Sequence, residues 1–139
     1  MPNKEFIKNK INFIQQELGV LAEYSAFSLQ EIVSDYLKHT LVERVLERII
    51  NDALDINQHI IVESNQGAPN DYKETFVALS KMDIFTAEFA AEISKSVGLR
   101  NILAHNYHKL DEEIFYNSIK NCLTDYTKYC DYILRFIDL

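Results

Sequence analysis

Residues 97–113 read VGLRNILAHNYHKLDEE. An apolar helical pattern runs into this stretch and another runs out of it. The stretch itself gathers an arginine, two histidines, two asparagines and a tyrosine. Upstream, on a wheel of about 100° per residue, Phe89, Ala90, Ile93, Val97, Leu103 and Ala104 fall on one side, with Glu88, Glu92 and Lys95 opposite. Downstream, Asp111 has the character of an N-cap, and Glu112 and Glu113 suit the positive end of a helix dipole. Phe115, Ile119, Cys122, Tyr126, Tyr129 or Cys130, Ile133 and Ile137 then form a seam of helical period. The stretch therefore reads as a polar break, between Ala104 and Asp111, that joins two antiparallel helices.

The rest of the chain follows the same pattern. Residues 40–64 form the long central helix, with Val42, Val45, Leu46, Ile49, Ala53, Ile56 and Ile60 in one stripe and Glu43, Arg44, Glu47 and Arg48 outside it. In SNQGAPND, Gly67 ends that helix and Pro69 stops its continuation. Residues 3–22 carry Phe6, Ile7, Ile11, Phe13, Ile14, Leu18 and Leu21 at helical spacings, with Gly19 as a weak point. Ser28 is placed to cap a short helix, and residues 71–80 form another before SKMD turns the chain into a helix over 84–104. The expected fold is all-α: an up-and-down antiparallel bundle of four main helices, a single domain over residues 1–139.

Composition narrows the function. The chain has 139 residues, and its three glycines and two prolines leave too little turn material for an all-β fold. It contains no run of about 18 apolar residues that would span a membrane. Its first residues lack the apolar segment of a secretory signal, so a cytoplasmic location is expected. The net charge of -7 gives no global attraction to nucleic acid. A nucleic-acid function must then rest on a local site. Cys122 and Cys130 stand eight positions apart in one helix, ~12 Å and beyond disulfide reach, and read as buried small hydrophobes. No His/Cys cluster points to a metal.

Arg100 falls in the middle of the apolar side of its helix, in line with Ile93, Val97 and Ala104. A guanidinium there needs partners, because an unpaired buried charge is costly. Either it pairs with a carboxylate, Asp52 or Asp55, or it faces a cleft that receives a phosphate. His105 lies five residues on, about 140° around a continuous helix. The two converge only if the helix ends near Ala104, where Asn106 suits a left-handed terminal residue. An arginine, a histidine and a tyrosine at one turn make a phosphodiester site. Arg holds the phosphate and His moves a proton at neutral pH. No metal is required if the RNA 2′-hydroxyl is the nucleophile. Of the other histidines, His39 and His108 are expected in solvent, and His59 is read as structural. Tyr116, Tyr126, Tyr129 and Tyr132 are read as core or dimer contacts.

Arg100 to Tyr107 spell R-N-x3-H-x-Y, which resembles the R-x4-H-x-Y signature of the HepT-like branch of the HEPN superfamily, also described as the DUF86 family. ERVLERIINDALDINQHIIVES resembles that family's central helix, GAPNDYKETFVALSKMDIF its following loop and short helix, and GLRNILAHNYHKLDEEIFY its motif segment. The likeness covers roughly residues 40–139; the first 39 match in helical character only. The resemblance implies a homodimeric toxin of a two-gene toxin–antitoxin pair, with a metal-independent endoribonuclease site and no cofactor. It implies catalytic roles for Arg100 and His105, a substrate-binding role for Asn101, and adenylylation of Tyr107. The implied modifying partner is an MntA-like minimal nucleotidyltransferase, which silences the toxin. The competing expectation is a non-catalytic helical module that presents Tyr107, or a substrate, to the nucleotidyltransferase; there His105 has no role.

Overall fold

The computed structural model describes residues 2–138, and among these it contains α-helices, one 3-10 turn and no strand. The helices are α1 (Lys4–Tyr24), α2 (Leu29–Val33), α3 (Tyr36–Glu63), α4 (Tyr72–Lys81), α5 (Ala87–His105) and α6 (Glu112–Ile137), and the 3-10 turn Tyr107–Lys109 joins the last two. Each α-helix opens on a side chain that accepts a hydrogen bond from the first turn: Asn3, Ser28, Asp35, Asp71, Thr86 and Asp111. These caps occupy N–H groups that have no partner inside the helix. At α2 the cap is reciprocal, since Glu31 also bonds back to the Ser28 backbone. With so little glycine and proline, such caps set where the helices start.

The pattern read from the sequence survives with four corrections. First, α3 starts at Tyr36 rather than near residue 40, because the Asp35 carboxylate caps Leu37 and Lys38. Second, α1 passes through Gly19 unbroken. Third, the left-handed residue after α3 is Asn65, at φ 60°, and not Gly67; Asn tolerates that region through local hydrogen bonding. Fourth, Phe13 is 54% exposed and lies off the α1 stripe, which is made of Ile7, Ile11, Ile14, Leu18 and Leu21.

α1 and α6 both pack on the bundle's spine, α3, and on each other, while α4 and α5 form a second pair against α3. All seven stripe residues named for α3 are buried, as is the whole α6 seam, including both cysteines. A buried aliphatic side chain of this size contributes about 1.5–3 kcal/mol relative to exposure, so this shared core is the main cohesion of the bundle. Tyr126 and Tyr129 are completely buried, and their hydroxyls are satisfied. Tyr126 shares a hydrogen bond with Ser96 at 2.7 Å, and Tyr129 donates to Asn57 Oδ1 at 2.6 Å. Asn57, itself fully buried, donates in turn to Thr75 Oγ1 at 3.1 Å, tying α6, α3 and α4 together.

Tyr129→Phe keeps the ring and strips the hydroxyl, leaving Asn57 Oδ1 buried without that donor. The expected loss is about 1–3 kcal/mol of unfolding free energy, read by urea denaturation, with helical circular dichroism retained. A loss within error of zero would mean that this triad does not join the helices.

Candidate active site

Arg100 lies on the last turns of α5 and is half-buried, as its place on the apolar side of the wheel requires. Its partners are not the expected carboxylates. Arg100 Nε donates to Asn51 Oδ1 on α3 at 2.8 Å, and its Nη1 donates to Asn101 Oδ1 at 3.3 Å. The guanidinium carbon stands 5.3 Å from the centre of the Tyr72 ring, on α4. Asp52 and Asp55 are instead held by Lys10 of α1, at 3.3 and 3.0 Å. Among the described residues Arg100 thus has neutral partners only. They fix its plane without cancelling its charge, and a guanidinium carries more N–H donors than these two bonds use.

A cavity of about 810 Å³ opens between α3, the loop before α4, the start of α4, and α5; Arg100 does not line it, but its neighbours Asn101 and Tyr72 do. Val97, Gln58, Gln66 and Asn70 stand on its wall as well, with the charged residues Asp71 and Lys73.

His105 is exposed and closes α5. Among the described residues its side chain makes no hydrogen bond or ion pair. The Asn106 amide still donates to the Ile102 carbonyl at 2.9 Å, so helical bonding runs through His105. The helix therefore does not end early enough to bring Arg100 and His105 together within one chain. Asn106 has φ -135° and ψ 46°, outside the left-handed region expected for it. The chain leaves the helix instead through the 3-10 turn, where the Lys109 amide donates to the Asn106 carbonyl at 2.8 Å.

Tyr107 is on this turn, half-exposed, and its hydroxyl donates to Glu43 Oε1 on α3 at 2.8 Å. That bond to a carboxylate, with some burial and the nearby charge, pushes the Tyr107 phenol up to about 12. Glu43 is held in its turn. His39, expected in solvent, is buried, stacked on Phe115 with ring centres 4.5 Å apart. Its Nδ1 lies 2.5 Å from Glu43 Oε1 and its Nε2 2.7 Å from Glu112 Oε2. A chain of contacts Tyr107–Glu43–His39–Glu112 thus runs beside the motif turn, hydrogen-bonded at its two outer links and joined by a close ring-to-carboxylate contact between His39 and Glu43. The i, i+4 spacing of His39 and Glu43 was the available signal. Their link to α6 needed the fold. His59 is structural, as expected: it accepts from the Asn3 amide at 2.9 Å and packs on Phe6. His108 is exposed.

The chain matches the family described as "Ribonuclease HepT-like" over residues 14–133. It belongs to that family. A tRNA nuclease HepT from Aphanizomenon flos-aquae is 31% identical, the alignment covering 94% of this chain and 89% of that protein. An mRNA nuclease HepT from Shewanella oneidensis is 29% identical over 91% of this chain and 90% of its own length. Among solved structures, the tri-AMPylated Shewanella oneidensis HEPN toxin in complex with MNT antitoxin superposes with a TM-score of 0.84 at 25% identity, covering 94% of this chain and 97% of that one. YutE of Bacillus subtilis, at 18% identity and a TM-score of 0.86 over 99% of this chain and 92% of its own, shares the fold. The matched span includes the R-x4-H-x-Y segment, Arg100 to Tyr107, where α5 gives way to the turn before α6. No helix among the described residues is long and apolar enough to cross a membrane.

In Glu43→Gln the phenol keeps an acceptor but loses the neighbouring negative charge, so Tyr107 should ionise at a lower pH than in the parent, nearer the ordinary value of about 10. Carbon-13 NMR of the Tyr107 Cζ against pH reads this directly. An unchanged titration would show that Glu43 does not govern the hydroxyl.

Proposed function

We propose that this HepT-like protein is a ribonuclease toxin that cuts RNA with Arg100 and His105, and that a partner nucleotidyltransferase silences it by adenylylating Tyr107. The observation that carries the reading is the state of Arg100: half-buried, oriented by Asn51 and Asn101, and without a carboxylate. A guanidinium so placed is suited to a phosphodiester, which it grips by paired N–H donation while neutralising charge that builds on the phosphoryl oxygens. The 2′-oxygen of the RNA attacks the adjacent phosphorus, the bond to the 5′-oxygen breaks, and His105 exchanges a proton with the reacting oxygens. Asn101 binds substrate beside Arg100. The neighbouring cavity, with its carboxamides and the Tyr72 ring, suits the base of an adjacent unpaired nucleotide. Recognition by stacking and amide contacts fits a chain of net charge -7, which has no overall attraction to the RNA backbone.

The direction of His105 supports a homodimer. Because α5 stays helical through that residue, Arg100 and His105 of one chain point to different sides, and a second copy brings an arginine and a histidine to one cleft. Apolar side chains are exposed around the turn for such assembly: Tyr36 at 79%, Leu37 at 77% and Ile114 at 64%. AMP on Tyr107 adds a bulky anion at that same turn, repelling RNA by charge and bulk. The relatives support the regulatory half of the reading, since one of them is a tri-AMPylated toxin bound to an MNT antitoxin.

Arg100→Ala and His105→Ala should each lower RNA cleavage by about 10²–10⁴-fold and abolish toxicity in bacterial cells, with the helical spectrum unchanged. Mixing the two inactive variants under subunit exchange should restore part of the cleavage, because a mixed dimer holds one intact pairing. Full activity of His105→Ala would leave a module that only presents Tyr107 to its partner.

A further inference from the structure

The Tyr107–Glu43–His39–Glu112 chain has no part in RNA cleavage as described above, yet it converges on one hydroxyl. We infer that Glu43 is the general base for transfer of AMP to Tyr107, held in register by His39 and Glu112, so that the toxin brings part of the chemistry of its own silencing. The inference rests on the reading of Tyr107 as the modified residue.

The geometry fits that role. Glu43 Oε1 is 2.8 Å from the Tyr107 hydroxyl, within the range for direct proton transfer. A neutral phenol is a weak nucleophile, and its bond to Glu43 keeps it protonated at rest. The proton must therefore leave as the oxygen attacks. In the step, Tyr107 Oη bonds to the α-phosphorus of a nucleoside triphosphate held by the partner enzyme. The bond from that phosphorus to the bridging oxygen of pyrophosphate breaks, and its electron pair departs with pyrophosphate. The hydroxyl proton moves to Glu43 Oε1. Glu43 is thus a catalytic residue of the modification.

His39 and Glu112 act through Glu43 and are positioning residues. The His39 ring is pinned between Phe115 and two carboxylates. Its two ring nitrogens face one carboxylate oxygen each, from Glu43 and from Glu112. It thereby fixes the Glu43 rotamer, much as a buried carboxylate orients the histidine of a hydrolytic triad. Glu112 follows the Asp111 cap, so the start of α6 locks the relay onto α3. The arrangement spans α3, the 3-10 turn and α6, and forms only in the folded toxin. A loose tyrosine of an unfolded chain has no such base.

The test uses full-length toxin, an MNT-type nucleotidyltransferase from the neighbouring gene, ATP and magnesium, with intact mass followed over time and complex affinity measured separately. Glu43→Gln can still accept the tyrosine's hydrogen bond but is far less basic than a carboxylate. It should slow the first AMP addition by about 10²-fold or more while binding the enzyme as the parent does. Glu43→Asp should recover part of that rate, and Glu112→Gln should cost less than Glu43→Gln. If Glu43→Gln does not bind, Glu112→Gln, on the rim of the relay, carries the test through the same rate measurement. AMP addition to Glu43→Gln, or in that event to Glu112→Gln, at the parent's rate overturns the relay and leaves Tyr107 as the modified residue. Increments that persist in Tyr107→Phe, or a parent that gains none, overturn the Tyr107 reading and the relay with it.

Discussion

The hydrogen bond from Arg100 Nε to Asn51 Oδ1 is the constraint on which the proposed site depends. It anchors a permanent charge on the core-facing side of α5 to a neutral partner, without a carboxylate to absorb it. An aspartate at that point would complete an ion pair and close the site; the side chain present is the neutral isostere. Nearby carboxylates exist, but Lys10 occupies both Asp52 and Asp55 from the other side of α3. That division of partners leaves the arginine available. The Lys10 contacts, part-buried at Asp52 and more open at Asp55, keep the negative charge away from the arginine.

The bundle around Arg100 supplies stiffness. α3 carries Asn51 toward α5, Glu43 toward the motif turn and Asn57 into the core, so one helix indexes three separate contacts. Close-packed interiors respond poorly to small displacements. The buried link from Tyr129 through Asn57 to Thr75 holds α4 and α6 in step with α3, and with α4 comes the Tyr72 ring over Arg100. The motif turn, by contrast, is exposed, with Tyr107 and His105 both open to solvent.

Helical period, the Ser28 and Asp111 caps and the shortage of glycine and proline made the fold legible in the sequence. The half-burial of Arg100 and the break before Asp111, on which the proposed site is built, were legible as well. The partner of Arg100 was not legible, because a wheel gives a direction and not the residue across the interface; Asp52, the neighbour of Asn51, was as plausible on charge grounds. His39 was misread for a related reason. It sits on the first turns of α3, a surface position by pattern, but the start of α6 and the Phe115 ring cover it. Asn65 displaced Gly67 as the left-handed residue because an asparagine reached that position first after the last helical turn.

The most direct measurement is RNA cleavage by Asn51→Asp. The substitution keeps the shape of the side chain and the bond to Arg100 Nε, and adds one negative charge at 2.8 Å from the guanidinium nitrogen. If an uncompensated guanidinium is what binds the scissile phosphate, kcat/KM falls by at least about tenfold, a change of about 1.4 kcal/mol, while thermal stability holds or rises. Cleavage at the parent's rate by this folded variant would contradict that assignment and take Arg100 out of the active site.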